Sequence, residues 1–270
     1  MNADNYQYLT EQVLPRLGFP QALDDTLLAK MKAGGDVIKL EAVGNFGKDK
    51  MEYSLHLEKV EDRYYLNAVK ATITKENEQP QSHTFSLFSQ KGYSADEMYN
   101  MMDSYPDKRF VYREFMKDGE KVGRWSTVDL SKKDENGNGI LRSYYDNTTN
   151  FNLVIELGKL PLTYMSPQDK ESLIRDMKAG EPGVTSIKRP DGSRERVSLI
   201  PKPNIGTILM FDKEGQKIKL DQKKIQGVDN RKFAVKEEME QKIPPLTEKL
   251  LEKAQNGEQE QGKGAKMKAK

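Results

Sequence analysis

From Asn2 the apolar residues Tyr6, Leu9, Val13 and Leu17 recur at three- and four-residue intervals, and Gly18-Phe19-Pro20 closes the run. That period predicts a short amphipathic helix. A second helix is expected from Asp24 or Asp25, carrying Leu27, Leu28 and Met31 inward and stopped by Gly34-Gly35, because glycine enters the left-handed conformation without steric cost. The period then changes to alternation. Asp36 to Val43 reads as one strand. Met51 to Val60 reads as a second, with Tyr53, Leu55 and Leu57 on one face, and Arg63 to Ile73 as a third.

The same order returns further along. LLAKMKAG at Leu27 to Gly34 reappears as LIRDMKAG at Leu173 to Gly180. Ser166 is a suitable N-cap, with Pro167 at the first helical position, Asp169 in the first turn, and Leu173, Ile174 and Met177 as the apolar stripe. VTSIKRP and RERVSLIP flank an Asp191-Gly192 turn, a strong hairpin signal, and GTILMFD supplies a further strand. A weaker version lies between. Ser94 with Glu97 forms a capping box before EMYNMM, KRFVYREFM and VGRWSTVDL flank Asp118-Gly119, and LRSYY and FNLVIEL read as additional strands. The helix-to-helix spacing of roughly 70 to 75 residues exceeds the roughly 20 to 50 of solenoid repeats.

The expected fold is therefore α+β, with three related units of a helix followed by an antiparallel hairpin or sheet, at 1–90, 91–162 and 163–222. A helical extension is expected at 223–254. In it Phe233 to Ile243 forms a charged helix, Pro244-Pro245 breaks it, and Leu246, Leu250 and Leu251 mark a second. Residues 255–270 lack an apolar period and are expected to be disordered.

Composition narrows the function classes. Hydrophobic residues make up 36% and charged residues 32% of the 270, and the net charge is only +2. The charge is unevenly spread: between Ser186 and Lys236, thirteen cationic residues face six acidic ones. No apolar run approaches the roughly 18 residues of a membrane span, and the N-terminus lacks a basic segment followed by an apolar one, so a cytoplasmic chain with no membrane partner is expected. The absence of cysteine excludes disulfides, thiolate metal sites and cysteine nucleophiles.

The segments LGFPQALDDTLLAKMKAG, FGKDKMEYSLHLEKV, RYYLNAVKATI and MSPQDKESLIRDMKAG resemble a family of uncharacterised proteins, a domain of unknown function carried by bacterial conjugative transposons and related mobile elements. The similarity runs from about Tyr8 to Leu220. Some related domains are fused to topoisomerases or coded beside transfer genes, so the resemblance implies a DNA-handling setting. It carries no catalytic residues.

Candidate chemistry is sparse. The chain holds only His56 and His83, neither in the spacing of a ligand pair, and His56 falls on the strand face opposite Tyr53, Leu55 and Leu57, where exposure is expected. DENGNGIL from Asp134 matches the first half of a calcium loop, but Tyr145 stands where the closing bidentate carboxylate belongs, so a polar hairpin loop is expected. Adjacent carboxylates such as Asp24-Asp25 are read as favourable at a helix start, and no glycine-rich phosphate loop is present. Met31, Met101, Met102 and Met177 read as core fillers. No catalytic residue, metal site or cofactor is expected.

The remaining signal is surface charge. Lys188, Arg189, Arg194 and Arg196 surround the Asp191-Gly192 turn, while Arg113, Arg124, Trp125 and Tyr144-Tyr145 offer cations and rings on the middle strands. Cations pair with phosphates and rings stack bases, so Lys188, Arg189, Arg194, Arg196, Arg124 and Trp125 are the candidate nucleic-acid-binding residues. Charge kept for solubility accounts for the same residues. The expected function is a non-enzymatic accessory protein of a mobile element that binds a macromolecular partner, nucleic acid first. The alternatives are a protein-interaction module acting on transfer or defence machinery, and an unrecognised enzyme, which a deep cleft with a raised carboxylate pKa would reveal.

Overall fold

A computed structural model describes residues 1–87, 92–117 and 119–219, all within one compact unit. The predicted C-terminal helices and tail lie outside the described residues. The first helix forms as α1 (Ala3–Tyr8) and α2 (Leu14–Arg16), joined by a wide π turn at Leu9–Val13. Pro15 explains the wide turn. It has no N–H for the carbonyl four residues back and its ring would clash there, whereas the π turn lets Leu14 N–H donate to Leu9 O instead. After a short 3-10 turn at Gln21–Leu23, α3 (Asp24–Ala33) ends at Gly34 with φ +79°.

Strands β1 (Val37–Phe46), β2 (Asp49–Val60), β3 (Arg63–Thr74) and β4 (Gln81–Ser86) form a four-stranded antiparallel meander in that order. Strand β4 is not among the expected strands, because QSHTFS is too polar to show a clear alternation. One face of this sheet carries Met51, Tyr53, Leu55, Leu57, Leu66, Val69, Ala71 and Ile73, all buried in one cluster with Leu9, Val13, Leu14, Leu17, Leu27 and Met31 of the N-terminal helices. A bulge between His56 and Leu57 pairs Ala68 with His56 and Leu66 with Leu57, leaving Asn67 as the extra residue. The bulge keeps both halves of β3 facing inward, although Leu66 and Val69 are out of simple alternation.

The helix α4 (Ala95–Met102) opens on the predicted capping box, with both the Ser94 and the Glu97 side chains bonded. It precedes the second sheet in sequence, yet its Met98, Met101 and Met102 are buried in the same cluster as the first sheet, which also reaches Val111 and Val128. The second sheet is the meander β5 (Val111–Lys117), β6 (Glu120–Lys133) and β7 (Gly139–Tyr145). The expected strand FNLVIEL is instead the helix α5 (Leu153–Gly158): Asn152 accepts from Val154 N and Ile155 N, and Leu153, Glu156 and Leu157 share its buried side. A short apolar run fits either period, and here the cap decides.

The capping box at Ser166 and Asp169 opens α6 (Pro167–Lys178). The third sheet contains β8 (Gly183–Lys188), β9 (Arg194–Lys202), β10 (Thr207–Phe211) and the two-residue β11 (Lys217–Ile218), each paired antiparallel with its neighbour. Helix α6 lies so close to β8 that a Cβ on Gly183 would sit 2.7 Å from Met177. The chain is thus α+β, with three antiparallel sheets among the described residues, and no described helix is long and apolar enough to cross a membrane.

Candidate nucleic-acid interface

The β8–β9 hairpin closes through a five-residue loop, longer than Asp-Gly alone implies. Arg189 N donates to Ser193 O at 2.8 Å and Gly192 N to Arg189 O at 2.9 Å. Pro190 therefore sits at the second position of the turn, and Gly192 takes the left-handed position at φ +86°. Asp191 Oδ1 accepts from Ser193 N at 2.9 Å and Ser193 Oγ at 2.6 Å, which holds its carboxyl below the ordinary value.

The register decides how the four predicted cations are divided. Lys188 lies directly opposite Arg194, and Arg196 opposite Ser186, so these three cations occupy one face of the hairpin. Ile187 and Glu195 pair on the other face, and the Arg189 guanidinium is bonded to the Glu195 carboxylate. Lys188, Arg194 and Arg196 are exposed, and among the described residues no carboxylate pairs with any of them. Two like charges directly across a strand pair repel, and an anion placed between them would relieve that repulsion.

The outer edge of β8 is covered: Thr163 N donates to Ser186 O and Lys188 N to Pro161 O, both at 2.9 Å. At the far end of the same face of β9, Lys202 is buried. Its Nζ donates to Asp107 Oδ1 at 2.9 Å and Lys108 O at 3.2 Å and lies 5.2 Å from the Phe110 ring centroid. The cationic face is therefore exposed at the hairpin tip and anchored at its base by Lys202.

Arg124 and Trp125 do not join this tip. Adjacent residues on a strand point to opposite faces. The Arg124 guanidinium donates to Tyr93 OH at 3.3 Å and lies 5.3 Å from the Phe115 ring, while Arg113 is bonded to Glu97 and lies 5.9 Å from the Tyr93 ring. Both arginines thus bind the second sheet to the start of α4. Trp125 is 2% exposed, with Tyr112 at 5.0 Å and Phe151 at 5.6 Å between centroids. Its ring is a core element and offers no face to a base, a correction to the expected stacking role.

Sequence reasoning missed a buried ionic network. Asp103, 5% exposed, receives Lys75 Nζ at 2.5 Å on Oδ1 and Arg109 Nη2 at 2.6 Å on Oδ2. Arg109 stacks on the Tyr99 ring at 5.1 Å, Tyr99 OH donates to Asp49 Oδ2 at 3.1 Å, and Asn100 Nδ2 donates to Ala179 O and Glu181 Oε1. Burial, with the carboxylates of Asp103 and Asp49 nearby, pushes the Tyr99 hydroxyl above its ordinary value. Nothing in the spacing of these residues announces the network, since its members come from five separate segments.

A recess of about 220 Å³ opens beside it, lined by the apolar Ile73, Met102, Val128 and Leu130 and by the polar Lys75, Asp103, Ser104 and Lys108. Its two ammonium groups are matched by Asp103 and Asp129, so it presents no uncompensated cation. Asp24 is the described carboxylate pushed up from its ordinary value, by burial and then by Asp25, and it does not line this recess.

The remaining predicted polar features have structural partners. The Asp134 loop joins β6 to β7, with Asp134 Oδ1 accepting from Asn136 N at 2.9 Å and Asn138 N at 2.7 Å. His56 is half-buried beside Ser54 Oγ at 3.3 Å, less open than expected. His83 is buried, with Nδ1 2.7 Å from Gly139 O. Compared with protein-family models, curated proteins and solved structures, the chain gives no match.

Proposed function

We propose that this chain is a non-enzymatic accessory protein of a mobile genetic element, acting in the cytoplasm, that holds nucleic acid by its phosphates through the outer face of the β8–β9 hairpin. The observation that supports this reading is the set of three exposed cations, Lys188, Arg194 and Arg196, on one face with no carboxylate among them. Phosphate contact needs no recognition helix and reads no bases, so binding is expected to be insensitive to sequence. Arg189, bonded to Glu195, contributes less. In this reading the three helix-plus-sheet segments are related units, with a helical extension after the third, and the first two hold the third in place.

The test is fluorescence anisotropy of labelled single- and double-stranded DNA and RNA over a salt series. If all three cations release counterions, log K against log[salt] on duplex DNA falls with a slope of about −2.7 from this face. Replacing Lys188, Arg194 and Arg196 by alanine removes that contribution, whereas Arg189→Ala changes it little. Absence of binding at low salt discards the reading. The second reading, a protein-interaction module, is favoured by the open ten-residue edge of β1, and salt-insensitive binding to a protein would identify it.

A further inference from the structure

The two edges of the first sheet are treated differently. At the β4 edge, His83 and Thr84 bond to Gly139 O and Asn138 Oδ1 at the start of β7. At the β1 edge no described segment pairs with the strand, although at ten residues it is the longest edge strand of the three sheets. Long unpaired edges are sites for strand addition.

The groups on that edge follow from the pairing with β2. Lys59 N donates to Asp36 O, so Asp36, and with it the even-numbered residues Ile38, Leu40 and Ala42, turn their backbone groups toward β2. The odd-numbered residues Val37, Lys39, Glu41 and Val43 turn theirs outward. In agreement, Lys39 O accepts from the Lys30 side chain, at 2.5 Å, and from no other described residue. The side chains of these four odd residues lie on the solvent face, where Val37 is 56% and Val43 61% exposed, while Ile38 and Leu40 face the core.

We infer that β1 pairs antiparallel with β1 of a second copy of this chain, about a two-fold axis at Leu40, joining two four-stranded sheets into one of eight. In this register Lys39 lies opposite Glu41 of the second copy and Glu41 opposite its Lys39. Val37 lies opposite Val43, and on the core face Leu40 meets Leu40 and Ile38 meets Ala42. All four odd residues then exchange backbone hydrogen bonds, because odd residues meet odd residues. Moving the axis by one residue sets Lys39 against Lys39 or Glu41 against Glu41, and an axis between residues sets outward groups against inward ones. Charge, hydrophobic pattern and hydrogen-bond parity therefore select the same register. Lys30 releases the Lys39 carbonyl as the strands meet, its ammonium passing into solvent. Glu41 keeps one carboxylate oxygen on Ser54 Oγ at 2.8 Å and has the other for Lys39.

The test is sedimentation equilibrium of the full chain over a concentration series, with Lys39→Glu, Glu41→Lys and the double exchange, each checked for an unchanged thermal transition. The wild type is expected to dimerise. Each single exchange turns two attractive cross-strand pairs into repulsive ones and weakens the dimer by about tenfold or more. The double exchange restores opposite charges across the axis and recovers the dimer. A wild type that is monomeric throughout, single variants that dimerise as well as the wild type, or a double variant that stays monomeric would each overturn the proposal.

Discussion

His83 shows how one residue acquires a role that its neighbours in sequence do not announce. It occupies the polar strand β4, yet its ring is buried against Phe85, edge-on at 4.6 Å, and its Nδ1 meets a carbonyl oxygen. A carbonyl only accepts, so Nδ1 carries a proton and donates. Burial lowers the pKa from the ordinary 6.5, outweighing the raising effects of the Gly139 carbonyl and Asp134. The unfolded chain therefore takes up the proton first. The stability this residue contributes is complete above its unfolded pKa and is lost as pH falls through that value toward the lower folded one. Thermal midpoints between about pH 7.5 and 5 should decline in the wild type and decline less in His83→Gln. An equal slope in both would remove His83 as the source. Arg124 and Trp125 teach a related lesson at this scale. Their adjacency in one strand already excluded a shared surface by the two-residue period, but which of them would face the core needed the packing.

Among the elements, the two helices with a common ending separate what local sequence dictates from what packing adds. Gly34 and Gly180 both follow Lys-Ala and both take positive φ, +79° and +85°. Each ending was legible because glycine alone enters that conformation freely. Their surroundings differ: nothing lies within 4 Å of a Cβ placed on Gly34, whereas one on Gly180 would lie 2.9 Å from both Asn100 Cβ and Val111 Cγ2. Gly34→Ala should cost about 1–2 kcal/mol, the backbone term alone. Gly180→Ala adds overpacking of about 1–3 kcal/mol more. Urea unfolding with unchanged slopes would show the difference as a larger drop in midpoint for Gly180→Ala. The capping box at Ser94 and the N-cap at Ser166 were equally readable, since they need only neighbours within three residues. FNLVIEL was not, because seven residues are too few to tell the two periods apart.

At the scale of the molecule, the Asp103 network joins the first sheet, α4 and the approach to β8. Asp103→Ala would take the nearest carboxylate from the buried Arg109 and the half-buried Lys75, leaving them Glu181 and Asp49 at 3.9 Å, an expected loss of about 3 kcal/mol. The exposed Lys48–Glu76 pair, with side chains 81% and 62% exposed, is the comparison: Lys48→Ala should cost less than about 1 kcal/mol. Chemical denaturation of both variants measures the contrast, and similar losses would show the network to be as weak as a surface pair.

By itself the sequence determined the local features: helix starts at Ser94 and Ser166, glycine stops at Gly34 and Gly180, the alternation of β2, and the cationic residues around Asp191-Gly192. Each depends on residues within a few positions of one another, so the covalent chain already brings them together. The tertiary structure alone decided that α4 shares the core of the first sheet, that Trp125 is enclosed, that Asp103, Arg109 and Lys75 meet, and that β4 is covered while no described segment pairs with the outer edge of β1. Those outcomes depend on which apolar faces bury each other across tens of residues, and hydrophobic attraction has no direction that a linear pattern can record.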